Sequence, residues 1–109
     1  YTKEAKELLV GLLAGTSNFK DALTLIESLD ERSEATKKLY PRILYGRAAE
    51  LINDGQLNQA DELLNKIIKD PYNAPVLPLT NYWKGEIAYR NNNLDDATQF
   101  YHKFLNSGN

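Results

Sequence analysis

A chain of 109 residues has room for one domain, and its 13 basic and 15 acidic side chains leave a formal net charge of −2, so the basic footprint of a nucleic-acid binder and a polybasic membrane patch are both missing. There is no cysteine, which excludes disulfides, thiolate metal sites and a cysteine nucleophile. The longest apolar run, Leu8 to Ala14, is far short of the roughly 20 residues that span a bilayer, so no direct membrane insertion is expected.

The spacing of apolar residues predicts six helices. The first covers about residues 2–14, with Ala5, Leu8, Leu9, Leu12 and Leu13 on one broad face. Gly15 to Asn18 break it, and Asn18 is suited to cap a second helix over about 19–29, with Asp21 in its first turn. Ser33 is suited to cap a third helix that reaches Asn53, with Leu44, Ala48, Leu51 and Ile52 facing inward. Pro41 falls inside that helix and removes one backbone hydrogen bond. Because the apolar pattern keeps its phase across it, a continuous helix with a bend is predicted. Asn53-Asp54-Gly55 ends it, Gly55 being suited to a left-handed position. The fourth helix covers about 57–69. The three prolines between Pro71 and Thr80 predict a stiff, extended connection after it. The fifth begins near Leu77 or Leu79 and ends in Asn91-Asn92-Asn93, and the sixth covers about 94–106. Nothing alternates with a strand-like period, so the class is all-α.

One apolar grid occurs three times: Phe19, Ala22, Ile26, Leu29; Leu57, Ala60, Leu64, Ile67; Leu94, Ala97, Tyr101, Phe104. The offsets are 0, +3, +7 and +10 in each, which is one stripe of a helix, and the alanines repeat at intervals of 38 and 37 residues. Ser17, Gly55 and Asn92 each stand five residues before the repeat alanine and suit a tight helix–helix turn. A fixed period of this length is the mark of stacked helical hairpins, each burying its apolar face against its neighbours. The expected architecture is therefore three antiparallel hairpins, over about residues 1–32, 33–72 and 76–107. The absence of methionine, an initiator included, points to a segment of a longer repeat protein.

At these residues the chain resembles the tetratricopeptide repeat (TPR) family in a long-period form. Aligned on the alanines, the family's small first-helix position falls on Val10, Ala48 and Gly85. Tyr82-Trp83-Lys84-Gly85-Glu86-Ile87-Ala88-Tyr89 is similar to a first helix of the family, and Asn93-Leu94-Asp95-Asp96-Ala97 with Phe100-Tyr101 to a second. The resemblance implies an α-α superhelix whose first helices line a concave surface and whose function is to hold a protein or peptide there. Long-period members resemble those of bacterial proteins exported to the periplasm or cell envelope. Carried over position by position, the concave surface holds Glu7 and Gly11 in the first hairpin, then Arg42, Tyr45, Gly46 and Ala49 in the second. In the third it holds Leu79, Tyr82, Trp83, Glu86 and Tyr89, with Arg90 at the rim. Members that clamp a peptide's terminal carboxylate need lysine, asparagine and arginine where this chain has Glu7, Gly11, Gly46, Leu79 and Trp83, so that specificity is not expected.

The partner-binding candidates are thus Arg42, Tyr45, Ala49, Tyr82, Trp83, Glu86, Tyr89 and Arg90. The aromatic members could equally stack on a sugar ring, or Trp83 and some of the tyrosines could be core; a purely structural spacer is the third alternative. No metal, cofactor or enzymatic role is expected: His102 is the single histidine and lacks partners at ligand spacing. The run Asn91 to Asp96 lacks the alternating ligands of a calcium loop. Phe100, Phe104 and Leu105 make the last helix apolar on two sides, which predicts a covering repeat or self-association through that end.

Overall fold

The computed structural model describes residues 1–108. They form α1 (Lys3–Gly15), α2 (Phe19–Glu27), α3 (Glu34–Asn53), α4 (Leu57–Lys69), α5 (Leu77–Arg90) and α6 (Leu94–Asn106), with no strand among the described residues. The fold is all-α. Consecutive helices pair as α1–α2, α3–α4 and α5–α6, and α3 touches both helices of the first hairpin while α5 packs on α4. The stack is elongated, with extents of 47 × 31 × 22 Å. No helix of the described residues is long and apolar enough to cross a membrane.

The three hairpin turns are one motif. Ser17, Gly55 and Asn92 have φ of 60°, 78° and 60°. In each turn the following residue donates its N–H five residues back, Asn18 to Leu13, Gln56 to Leu51 and Asn93 to Ala88, all at 2.8 Å. The left-handed residue itself donates three back, to Ala14, Ile52 and Tyr89 at 3.0–3.1 Å. These bonds satisfy the last carbonyls of α1, α3 and α5 and turn the chain sharply into the partner helix. Identical turns then place Ala22, Ala60 and Ala97 alike, each at most 3% exposed.

Two apolar cores follow. Val10, Ala22, Ile26 and Leu29 of the first hairpin enclose Ile43 from α3. Leu44, Ala48, Leu51, Ala60, Leu64 and Ile67 of the second hairpin enclose Ile87 from α5. Each hairpin therefore completes its core with a residue of the next. Leu23 and Tyr40 touch both cores and join them.

Two local expectations are corrected. Asn18 does not cap α2, because its amide donates instead to the Thr16 hydroxyl at 2.7 Å. The segment after Pro71 is not extended but folds as two successive turns. Asn73 organises it: its amide donates to the Ile67 and Ile68 carbonyls at 3.0 and 3.1 Å, closing the end of α4. Its carbonyl accepts from Val76 and Leu77 and starts α5. Ser33 does cap α3, accepting from the Thr36 N–H at 3.3 Å, and α3 continues unbroken through Pro41, whose ring is fully buried.

Candidate functional site

Between α1 and α3 lies a groove of about 570 Å³ with mostly apolar walls. Gly11, Ala14 and Gly15 of α1, Phe19 of α2, Leu39, Arg42, Tyr45 and Gly46 of α3, and Val76 before α5 line it. Its shape follows from small residues. A methyl at Gly11 or Gly15 would meet nothing within 4 Å, so the α1 wall is recessed. Gly46 is different: a Cβ there would lie 2.6 Å from the Phe19 ring, so its absence lets Phe19 lie flat on α3 as the groove floor. Arg42 is the one charged group of the lining and makes no ion pair among the described residues. Lys38, one turn earlier and exposed, adds to the positive rim.

Of the sequence-predicted residues, Arg42 and Tyr45 meet in this groove, Tyr45 half-buried with its body on the second core. Ala49 is exposed one turn further along α3. The α5 residues separate. Trp83 packs on the second core. Tyr82 sits edge-on to Trp83 at 5.2 Å and against Phe104 at 5.3 Å, turned towards α6. Glu86 accepts from the Tyr82 hydroxyl at 3.0 Å and the Tyr101 hydroxyl at 2.5 Å. Tyr89 and Arg90 are exposed at the end of α5. Helical spacing told which residues shared α5; the aromatic rings of α6 decided which way Tyr82 turned.

The predicted self-association face is also redistributed. Phe104 is half-buried against Tyr82. Phe100 is half-buried with the Lys84 and Lys103 ammonium groups 5.3 and 5.2 Å from its ring. Only Leu105 of the three is exposed. The α5–α6 pairing covers the rings that looked open in the sequence.

Carboxylates shape the rest of the surface. The Thr36 hydroxyl and the Ser33 backbone N–H, the latter at 2.8 Å, hold the Glu7 carboxyl down at about 2. Glu7 is thus a cross-helix cap on α3 rather than a free groove residue. Burial alone would raise the Glu27 carboxyl, yet the Tyr40 hydroxyl at 2.6 Å and Lys66 at 3.0 Å hold it below its ordinary value. Glu34 is lowered by the Tyr72 hydroxyl and by Lys37. The Tyr101 hydrogen bond lowers Glu86, and the same bond pushes the Tyr101 phenol up to about 12. Lys84 of α5 meets Asp61 of α4 at 2.7 Å.

Sequence reasoning missed the Glu27–Lys66 pair between the first two hairpins and the Glu34–Tyr72 pair that ties the two ends of the second. Their signal was the repeat itself: Glu27 and Lys66 are 39 residues apart, and Glu34 and Tyr72 are 38 apart. Complementary side chains one period apart in a stacked array are candidates for contact. Compared with models of known families, with curated proteins and with solved structures, the chain matches none.

Proposed function

We propose that this chain is a tetratricopeptide-like interaction module that holds a short segment of a partner protein in the groove between α1 and α3. The observation that carries this is the groove itself: a concave, mostly apolar space of about 570 Å³ with one unpaired cation on its wall. That volume takes one or two large side chains, and Arg42 presents a planar donor to a carboxylate beside them. The matching ligand is an apolar anchor with an acidic residue about one turn or two extended residues away. Repetition of the hairpin at 38 and 37 residues supports the family reading. The α5 aromatics support a sugar platform less well, because Tyr82 and Trp83 spend their faces on Phe104 and the core.

Panning a displayed random-peptide library on the protein tests this. Enriched peptides should carry an aliphatic or aromatic anchor near an acid. Gly11→Leu fills the groove from an open position and should abolish binding while keeping or raising the melting temperature, since glycine costs a helix interior ~1 kcal/mol. Arg42→Glu should reverse the preference for acidic peptides. Failure to enrich any peptide, or undiminished binding to the Gly11→Leu protein, would remove the groove from consideration. Oligosaccharides titrated in parallel serve as the competing ligand class.

A further inference from the structure

The internal repeat identifies a second surface. Aligned on Val10, Ala48 and Gly85, the positions Ala5, Leu8 and Leu12 of α1 correspond to Ile43, Gly46 and Glu50 of α3 and to Thr80, Trp83 and Ile87 of α5. In α3 and α5 this stripe receives the preceding hairpin, apart from Glu50, which pairs with Arg47 of its own helix. Ile43 enters the first core, and Gly46 lies under Phe19. Trp83 and Ile87 join the second core, and the adjacent Lys84 reaches Asp61. In α1 the same stripe is uncovered, with Leu8 73% and Leu12 67% exposed.

The surface that such a stripe meets is also uncovered at the other end. Phe19 of α2 packs on Gly46, and its equivalent Leu57 of α4 packs on the core that holds Ile87. The third equivalent, Leu94 of α6, is 55% exposed, and Thr98, which corresponds to Asp61, is exposed beside it. The chain thus carries both halves of an interface that it already forms twice within itself.

We infer that one copy of this chain docks head to tail on another, α1 of one through Leu8 and Leu12 on α6 of the next through Leu94 and Thr98. The occupant is a second copy because the contact continues an interface whose two sides are both present here. The contact is heterologous, so it propagates as an open stack instead of closing as a symmetric dimer. On α1 the stripe borders the groove wall, Leu8, Gly11, Leu12 and Gly15 following one another at helical spacing, but neither Leu8 nor Leu12 lines the groove.

Sedimentation equilibrium over a concentration series up to about 1 mM, where even a Kd of that size is visible, is the test. The parent chain should show mass rising with concentration beyond a dimer. Leu8→Glu/Leu12→Glu and Leu94→Glu/Thr98→Glu should each be monomeric with unchanged helicity, since all four positions are exposed. Mixed together, they should form a 1:1 dimer and nothing larger, because each retains the end that the other has lost. A monomeric parent overturns the inference. So does association that survives in the Leu94→Glu/Thr98→Glu protein, which would mean α1 pairing symmetrically with α1. Failure of the mixed pair to dimerise would likewise count against it.

Discussion

The second and third hairpins share one plan and are filled by different chemistry. α3 and α4 meet through Ala48 and Leu64, both fully buried in an aliphatic core. At the same positions α5 and α6 bring together Gly85 and the Tyr101 ring, with a Cβ at Gly85 only 2.7 Å from that ring. In the first hairpin the same positions hold Val10 and Ile26, which share a core. From the second hairpin to the third, leucine gives way to tyrosine on the second helix as alanine gives way to glycine on the first. Between these two hairpins bulk on one helix is balanced by its removal from the other, so the same turn serves both. Among the described residues the Tyr101 ring is half-buried. There a ring with a polar tip can pack on Gly85 and still place its hydroxyl on Glu86.

The contrast is broken most severely at Leu64. It is enclosed on every side, so Leu64→Ala should cost about 2–5 kcal/mol, read from urea unfolding. Next comes Gly85→Ala. An added methyl forces the Tyr101 ring away, costing about 1–3 kcal/mol by overpacking, partly offset by the better helix propensity of alanine. Adding Tyr101→Leu recreates the Ala48–Leu64 pair and should recover most of the Gly85→Ala loss. A double-mutant cycle without coupling would show that the size balance between the helices is coincidental.

How much of this was legible in the sequence depends on where each determinant lies. The alanine period and the residues Ser17, Gly55 and Asn92 specify local turns, and local turns decide the hairpins. The side to which a ring turns is a different matter. Tyr82 and Trp83 are neighbours on α5, yet one faces Phe104 of α6 and the other the core of the previous hairpin. Arg42 and Tyr45 were placed together by the family resemblance, whose concave positions fall on both, and both line the groove. Glu7 could not be recognised as a cap on α3, since its partner Ser33 is 26 residues away and depends on how α1 crosses the second hairpin. Asn73 closes α4 with a side chain that reads, in sequence, as part of a proline-rich linker.

A smaller effect distinguishes the two ends by pH. Glu86 has a folded value below its unfolded one, so its contribution is present above about pH 4.5 and lost as pH falls. Tyr101 is raised from 10.0 to about 12, so its contribution is full below pH 10 and lost as pH rises through 12. Glu86→Gln should therefore lower the melting temperature at neutral pH and soften both limbs of its pH profile. Glu7, held at about 2, acts only on the acid limb, between its ordinary 4.5 and 2. Glu7→Gln should soften that limb and leave the alkaline one untouched. An alkaline change in the Glu7→Gln protein, or none in Glu86→Gln, would separate the Glu86–Tyr101 bond from stability.

The smallest effects test whether the three turns are as alike in energy as in geometry. A side chain in the left-handed region crowds its own carbonyl, and asparagine tolerates this better than serine. Ser17 at φ 60° should therefore store more strain than Asn92 at the same angle. Replacing either by glycine relieves that strain but gives back unfolded-chain entropy, so the net gain is the difference. Ser17→Gly should stabilise by about 0.5–1 kcal/mol and Asn92→Gly by less, while Gly55→Ala should cost about 1 kcal/mol. The order Ser17 above Asn92 is the sensitive part, because both loops make the same two hydrogen bonds. If Asn92→Gly gained as much as Ser17→Gly, backbone strain would not be what separates the turns. The difference would then lie in how firmly each hairpin is held, the first being gripped by α3 on both of its helices.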